Sequence, residues 1–324
     1  MQNINEFELI KKYFQQPIVS RRDVVCGIGD DAALLQCSPE QLLVVSTDTL
    51  IEGVHFPQTT AAQDLAYKAL AVNLSDLAAM GAEPAWFTLA LTLPTPDPSW
   101  LAHFSQGLFQ LAQQFNIQLV GGDTTRGPLS ITIQVLGQVP AHQALLRQGA
   151  QAGDKIYVSG TLGDAGLGLE VSLGKRQVSE TASQFVLQRL NRPFPQVQLG
   201  LALRGLASSA IDISDGLLAD LDHLLESSQV GAELKAEQLP LSVALKETLP
   251  REEALRLALT AGDDYELCFT VPPAREEELL TTLKKVEAPC HCLGEIRAEK
   301  GLSLSGFSGN LTQLRWVRGS VKRG

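Results

Sequence analysis

Aspartate residues beside glycine, serine or threonine recur along this chain of 324 residues, each just after an apolar run. The segments are GIGDD (Asp30, Asp31), STD (Asp48), NLSD (Asp76), GGDTT (Asp123), DISDG (Asp212, Asp215) and AGDDY (Asp263, Asp264). Any single one is typical of a turn or a helix N-cap. In open α/β sheets, however, ligands bind at the carboxyl ends of strands, where most of these segments are expected. Carboxylates that converge there would repel one another without cations, and their hard oxygens suit Mg²⁺.

The stretch GIGDDA at residues 27–32 indicates what such a cation would do. Its G-x-G-x-x-A pattern is similar to a nucleotide-binding turn, in which backbone N–H groups and a helix N-terminus face a phosphate. Asp30 and Asp31 would repel that phosphate unless a cation lay between them. We therefore expect this turn to meet a phosphate through Mg²⁺.

Other catalytic patterns are missing from the sequence. It contains no G-x-x-x-x-G-K-[ST] loop, no H-E-x-x-H zinc motif and no G-x-S-x-G nucleophile turn. His55 follows Asp48 by seven residues and could reach the same crevice. A lone histidine is more often structural, so the residues alone leave its role open.

The net charge of the chain indicates which kinds of partner it does not bind. The net charge of −10 argues against an electrostatic grip on nucleic acid or on an anionic membrane. No segment has the 18 or more uninterrupted apolar residues of a membrane span, and the N-terminal residues have no secretory pattern. We expect a cytoplasmic protein whose phosphate-bearing substrate is held by local cations.

Hydrophobic spacing predicts the elements that position these residues. In the first half, helices are predicted over 5–16, 61–80 and 99–115, and strands over 42–46, 86–93, 117–120 and 131–139. The first strand is expected to end at Thr47-Asp48, the second helix to close at Gly81, and GGDTTRGP to form a loop. This half is therefore predicted to be α/β, with aspartates at its strand ends.

The second half is predicted to form a separate domain. A boundary near residues 147–153 gives domains of 1–148 and 149–324, in keeping with the length of the chain. Strands are predicted over 155–159, 210–213 and 266–271, and the segment LLADLDHLLESS after DISDG is predicted to be a helix. The acidic loops DISDG and AGDDY each lie beside one of these strands.

Taken together in order and spacing, six motifs resemble those of the thiamine-monophosphate kinases. They are GIGDDAALL, STDTLIEGVHF, AVNLSDLAAMGAEP, GGDTTRG, AIDISDG and AGDDYELCFT, and the resemblance runs from about residue 6 to residue 272. That family belongs to the superfamily of aminoimidazole ribonucleotide synthetase and selenophosphate synthetase. The resemblance implies the two-domain α/β (α+β) fold of that superfamily and a homodimer joined through the N-terminal sheets. It also implies that ATP phosphorylates thiamine monophosphate (TMP) to thiamine diphosphate with the help of several Mg²⁺ ions.

The resemblance also implies roles for residues that match the family's motifs. The metal-binding positions are Asp30, Asp31, Ser46, Thr47, Asp48, Asp76, Asp123, Asp212 and Asp215. The ATP contacts are Gly122, Arg147 and Ser214, and the substrate contacts are His55 and Asp263. The chain departs from the family near its end, where such kinases have a Gly-aromatic-x-His-Phe segment. Ser320 replaces that aromatic residue, and Trp316 is the nearby aromatic that could compensate.

Two alternatives to a TMP kinase stay open. A sister ATP-dependent synthetase would share the acidic loops, and selenophosphate synthetases usually carry a reactive cysteine and a lysine in an early glycine-rich segment. Cys26 precedes GIGDD, but no lysine lies near it in sequence. The second alternative is a Mg-nucleotide-binding module without turnover.

Overall fold

The computed structural model describes residues 6–15 and 18–308, which form two compact units. The described residues of the first unit are 6–15, 18–77 and 83–141, and those of the second are 78–82 and 142–308. The departure at Trp316 and Ser320 lies outside the described residues. The domain boundary between 148 and 149 stays a prediction.

The first unit contains a four-stranded sheet. Its elements are α1 (Glu6–Tyr13), β1 (Val24–Cys26), β2 (Leu34–Leu35), β3 (Gln41–Ile51), α2 (Ala62–Ala79), β4 (Glu83–Leu93), α3 (Pro98–Gln114), β5 (Gln118–Arg126) and β6 (Ser130–Pro140). The strand order is β3-β6-β4-β5, with β6 antiparallel to both neighbours and β4 parallel to β5. Strands β1 and β2 form a separate antiparallel pair.

Helix α2 is almost entirely buried because its sequence is apolar or small around nearly the whole helix. Leu70 and Leu74 have no exposed surface. Helix α3 begins at the N-cap Asp97, whose side chain accepts hydrogen bonds from two backbone N–H groups. A Cβ on Gly107 of α3 would lie 2.0 Å from the carbonyl oxygen of Gln63, so this glycine allows a close approach to α2.

Two segments that the sequence predicted as strand ends or loops lie within strands. Strand β3 continues past Thr47-Asp48 to Ile51 because it pairs with β6 along its full length. Strand β5 likewise includes Asp123, so the prediction of a GGDTTRGP loop is wrong over most of that segment. Threonine is favourable in strands, and the hydroxyls of Thr49 and Thr132 lie 2.9 Å apart across β3 and β6.

The second unit contains a six-stranded sheet, ordered β12-β9-β11-β7-β10-β8 and antiparallel except between β12 and β9. Its elements are β7 (Lys155–Ser159), α4 (Asp164–Ser172), α5 (Glu180–Asn191), α6 (Val197–Ala202), β8 (Ser209–Asp212), α7 (Leu217–Ser228), β9 (Gly231–Lys235), α8 (Val243–Thr248), α9 (Arg251–Thr260), β10 (Leu267–Val271), α10 (Glu276–Lys285), β11 (Cys290–Arg297) and β12 (Gly301–Ser305). Leucines of α7 pack with those of α9 and the sheet in one core. In the described part of the chain, no helix is long and apolar enough to cross a membrane.

Candidate active site

A cavity of about 580 Å³ in the first unit brings together four residues that the sequence singled out. Asp30 and Asp31 line it from the turn after β1, and Gly122 and Asp123 line it from β5. Lys11 of α1 adds a positive charge to the same lining. A volume of this size is within the range of small-molecule sites. The cavity therefore offers a ligand the carboxylates of three aspartates and the ammonium group of one lysine.

The GIGDD turn has a geometry that only a glycine adopts easily at its third position. Gly29 has a φ of 129°, and the backbone N–H of Asp31 donates to Oδ1 of Asp30 at 2.8 Å. The side-chain amide of Gln15 on α1 donates to the carbonyl oxygen of Ile28 at 3.2 Å. Both aspartates are exposed, so their remaining oxygens are free to face a ligand.

Gly122 is required by its backbone surroundings. Its φ is 152°, and a Cβ at this position would lie 1.9 Å from the carbonyl oxygen of Leu89 on β4. No other residue fits this approach without moving a strand. Gly122 and Asp123 are both exposed and line the cavity, so the backbone between them can contact a ligand there.

A second group of polar residues forms where β3 meets α2. The hydroxyl of Ser46 donates to Oδ2 of Asp76 at 2.5 Å, and Oδ1 of Asn73 accepts from the backbone N–H of Asp48 at 3.1 Å. Asn73 is buried and held in turn by a 2.9 Å hydrogen bond to the carbonyl of Ala69. Burial, and next the charge of Asp76, raise the pKa of Asp48 to about 6.

The hydroxyl of Thr47 is not part of this second group. Side chains alternate along a strand, so Thr47 points to the opposite face of the sheet from Ser46 and Asp48. Its Oγ1 accepts a hydrogen bond of 3.2 Å from Nε2 of Gln134 on β6. Only the backbone of Thr47 is available beside the other two residues.

Strand pairing shows how far apart the two groups are. Asp48 pairs with Ile133, Ile133 with Leu89, and Leu89 with Gly122, so the row crosses the whole sheet. Three strand spacings separate its ends by about 14 Å. Within residues 6–15 and 18–308, no group of three or more His, Cys, Asp or Glu side chains lies close enough to hold a metal ion.

The oxygen donors of the second group nevertheless fit a divalent cation. Mg²⁺ is usually held by one or two carboxylates, with waters and substrate phosphates as its other ligands. Asp48 and Asp76 supply two carboxylates, and the raised pKa of Asp48 reflects in part their repulsion. A cation between them would relieve that repulsion.

His55 is exposed and follows β3 in a tight turn. Its Nδ1 accepts a hydrogen bond from the backbone N–H of Ile51 at 3.0 Å, and the backbone N–H of His55 donates to the carbonyl of Ile51 at 2.9 Å. With Nδ1 engaged as an acceptor, the proton of the neutral ring is on Nε2. The ring N–H of His55 is therefore the one on Nε2, a donor of the kind that a phosphate oxygen accepts.

In the second unit, DISDG is fixed by an aspartate that the sequence reasoning missed. The backbone N–H groups of Ser214 and Asp215 donate to Oδ2 of Asp220 on α7 at 3.0 and 2.9 Å. Burial is the main cause that raises the pKa of Asp220 to about 7. Asp212 is buried at the end of β8, and Asp215 is exposed.

The AGDDY loop lies directly against DISDG. The backbone N–H of Asp263 donates to the carbonyl of Ser214 at 2.9 Å, so these two predicted ligand contacts are neighbours. Arg147 is exposed in the same unit, and its carbonyl accepts a 3.0 Å hydrogen bond from the hydroxyl of Ser228.

Comparison with known proteins identifies the family. Residues 29–139 match the N-terminal domain of AIR synthase related protein, and residues 151–306 match its C-terminal domain. The thiamine-monophosphate kinase of Haemophilus influenzae is 50% identical over 299 residues, which cover 92% of this chain and 91% of that protein. The chain belongs to the thiamine-monophosphate kinase family.

Solved structures of this family share the fold. The crystal structure of thiamine-monophosphate kinase from Stenotrophomonas maltophilia K279a is 48% identical and has a TM-score of 0.85, with 90% of this chain and 93% of that chain covered. The structure of AaThiL complexed with AMPPCP and TMP is 31% identical and has a TM-score of 0.75, with 93% and 92% covered. The predicted two-domain fold of the superfamily is confirmed.

Asn73 and Asp220 contact the backbone of predicted ligand residues, and neither was singled out from the sequence. Asn73 belongs to the NLSD segment, and its side chain is buried. Its Oδ1 accepts a hydrogen bond from the backbone N–H of Asp48 on β3. Asp220 lies one helical turn from both Leu217 and Leu224, which are fully buried. An aspartate on the apolar side of an amphipathic helix is unusual, and this position in the sequence could have indicated that Asp220 has a buried partner.

Proposed function

We propose that this chain transfers the γ-phosphoryl group of ATP to the phosphate of TMP, giving thiamine diphosphate and ADP. The proposal is supported by curated TMP kinases that align with almost the whole chain and by the complex of AaThiL with TMP and AMPPCP, an ATP analogue. The observation that carries it is the cavity in which Asp30, Asp31, Gly122 and Asp123 meet. Two polyanions can approach carboxylates of this kind only with cations present.

We propose several Mg²⁺ ions, held by Asp30, Asp31, Ser46, Thr47, Asp48, Asp76 and Asp123 in the first unit and by Asp212 and Asp215 in the second. The carboxylate and hydroxyl oxygens of these residues support this choice, with Thr47 contributing only through its backbone. When bound, Mg²⁺ would neutralise phosphate charge. Gly122 and Ser214 would contact ATP, and Arg147 would supply a guanidinium to the transferred group.

The acceptor chemistry supports a mechanism without a general base. TMP is a phosphate monoester whose second pKa is about 6, so its attacking oxygen is already largely ionised at neutral pH. What remains is to align two anions and to offset their repulsion. We therefore propose direct in-line transfer without a phosphoenzyme.

Two protein side chains are proposed to hold TMP. The Nε2–H of His55 is suited to donate to a phosphate oxygen, because Nδ1 is engaged by Ile51. The carboxylate of Asp263 is suited to the positive charge that the thiazolium ring of thiamine always carries.

We also propose a homodimer formed through the first-unit sheet. β3 is an edge strand, and Leu43, Val45 and Ile51 on one of its faces are 46%, 50% and 40% exposed. Substitution of Val45 by Glu is expected to shift the molar mass from dimer to monomer in light scattering. Leu280→Glu on α10 is the matched control, since Leu280 is 49% exposed in the second unit. Equal masses for wild type and Val45→Glu would contradict this interface.

A substrate panel tests the activity itself. The purified chain, ATP and Mg²⁺ are incubated with TMP, thiamine, aminoimidazole ribonucleotide precursors or selenide, and ADP release is followed. We expect steady ADP release only with TMP, with thiamine diphosphate formed in equal amount. Turnover with another acceptor would favour the sister synthetases, and nucleotide binding without turnover would favour a binding module.

A further inference from the structure

The N-cap residue of α7 is Gly216, so it has no side chain that could accept a hydrogen bond from the start of the helix. Gly216 has a φ of 107°, in the region that favours glycine. A Cβ at this position would lie 2.8 Å from the carbonyl carbon of Thr260, so a serine or aspartate cap does not fit. The backbone N–H groups that lead into α7 therefore need an acceptor from another residue.

Asp220 provides that acceptor from inside the helix. Its Oδ2 accepts hydrogen bonds from the backbone N–H groups of Ser214 and Asp215 at 3.0 and 2.9 Å. Asp220 lies in the first turn of α7, where side chains tilt toward the helix N-terminus and can reach the preceding residues. Only 3% of Asp220 is exposed, so water does not replace this acceptor.

The hydrogen bonds of Asp220 also decide which groups of the DISDG turn are left for a ligand. Successive backbone N–H groups that converge on one point form a concavity that binds anions, and a phosphate can take this place at a helix N-terminus. In this chain Asp220 already occupies the concavity. Asp215 is exposed and Ser214 is half-buried, so their side chains are the groups that a ligand can reach.

We propose that Asp220 is a positioning residue for phosphoryl transfer. It holds the backbone of Ser214 and Asp215 so that their side chains, and not their N–H groups, contact ATP and Mg²⁺. This inference rests on the proposed function, in which Ser214 contacts ATP and Asp215 holds Mg²⁺.

The AGDDY loop, which contains the proposed TMP contact, has anchors of its own. The carboxylate of Asp264 accepts a hydrogen bond from the backbone N–H of Gly163 at 2.7 Å. The carboxylate of Glu266 accepts one from the guanidinium of Arg189 at 2.8 Å. Loss of the Asp220 side chain should therefore disturb the contacts with ATP far more than those with TMP.

The variant that removes the acceptor is Asp220→Ala, assayed at saturating Mg²⁺. We expect the KM for ATP to rise at least about tenfold and the KM for TMP to change less than about threefold, because two buried N–H groups lose their partner and the turn moves. Amide hydrogen exchange at residues 214 and 215, followed by NMR on the full chain, should become faster. Asp220→Asn keeps an oxygen acceptor, so its KM for ATP should stay within about threefold of the wild type and its exchange should stay slow.

Asp220→Glu decides the question if Asp220→Ala does not fold. Glutamate keeps the carboxyl group but moves it by one methylene, so the KM for ATP should rise at least about threefold. A wild-type KM for ATP in Asp220→Glu would then overturn the inference.

Asp154→Ala is the matched control. Asp154 is 4% exposed in the same unit, and its Oδ2 accepts hydrogen bonds from the backbone N–H of Gln151 at 3.0 Å and the hydroxyl of Ser208 at 2.5 Å. We expect this variant to lower Tm and to leave the KM for ATP unchanged. It thus separates the loss of a buried carboxyl group from the loss of its position beside Ser214 and Asp215.

The outcomes separate this inference from the function on which it rests. A wild-type chain that does not turn over TMP overturns both. If the wild type is active and Asp220→Ala has the wild-type KM for ATP, the inference alone is wrong. A lower KM for ATP in Asp220→Ala would also overturn it, because Asp220 would then compete with phosphate for the two N–H groups. Equal rises in the KM for ATP in Asp220→Ala and Asp154→Ala would overturn it as well.

Discussion

Replacement of Asp76 by Asn tests the electrostatics of the group between β3 and α2. The carboxylate of Asp76 is one of the two causes that raise the pKa of Asp48 to about 6, the larger being burial. The substitution removes a negative charge but keeps an oxygen that can accept the hydroxyl of Ser46. Without Mg²⁺, the variant should therefore be as stable as the wild type or more stable at neutral pH.

The size of the effect follows from the pKa of Asp48. A carboxyl with an ordinary pKa of 3.8 unfolded and about 6 folded binds more protons in the folded state between those values. The free energy of unfolding therefore falls as the pH rises from about 4 to about 6, by up to about 3 kcal/mol in total. Burial remains in Asp76→Asn, so only part of this penalty is recovered, on the order of 1 kcal/mol. That corresponds to a Tm increase of about 2–4 °C.

Melting curves with and without Mg²⁺ at pH 7.5 provide the assay. Mg²⁺ should raise the Tm of the wild type, because it binds the folded state and relieves the repulsion, and should raise that of Asp76→Asn much less. The ranking of the two proteins is thus expected to reverse when Mg²⁺ is added, and turnover should require far more Mg²⁺ in the variant. Asp222→Asn, which removes an exposed carboxylate from α7, should show no reversal.

Two results would refute this reasoning. A metal-free Asp76→Asn protein that melts well below the wild type at pH 7.5 would mean that Asp76 stabilises the fold instead of repelling Asp48. An equal response to Mg²⁺ in both proteins, with normal turnover, would remove Asp76 from the metal site.

Three further substitutions test other parts of the site. His55→Asn should raise the KM for TMP far more than the KM for ATP. The fall of kcat/KM at low pH should persist in this variant, because it reflects protonation of the TMP phosphate; if the fall disappears, His55 acts as a base. Gly122→Ala should lower the free energy of unfolding by at least about 2 kcal/mol in urea, whereas Gly121→Ala, whose Cβ would meet nothing within 4 Å, should cost far less. The pKa of Asp220 is about 7 in the folded state, so its ionisation contributes to a fall in Tm as the pH rises from about 4 to about 7. Asp220→Asn should make this fall smaller. The same dependence of Tm on pH in the variant and the wild type would contradict the raised pKa.

The sequence was sufficient to predict elements whose signals are local. The segment LLADLDHLLESS forms α7 with the predicted bounds, because its leucines recur at helical spacing. Gly81 has a φ of 62° and its N–H reaches the carbonyl of Ala78, as expected for a glycine that ends α2. In both cases residues within a few positions determine the backbone.

Strand lengths could not be predicted in the same way. Asp48 and Asp123 were placed at strand ends because aspartate and glycine favour turns, but pairing with distant strands extends β3 and β5 through them. The inward direction of Asp220 and the opposite direction of Thr47 also depend on partners far along the chain. The types of the candidate ligands were therefore readable, but their grouping was not.

The placement of carboxylates within regular elements has a chemical consequence. Asp48 lies in a strand paired along its whole length, and Asp76 lies in a buried helix, so neither backbone can move away when both side chains ionise. Burial is the larger cause of the raised pKa of Asp48, and the repulsion by Asp76 adds to it. On a mobile loop the two carboxylates could separate, and the pair would then bind a proton or a cation less strongly. If Asp48 and Asp76 hold Mg²⁺ as we propose, a transfer that needs charge compensation and alignment more than proton abstraction would take place beside carboxylates that do not have to reorganise during the reaction.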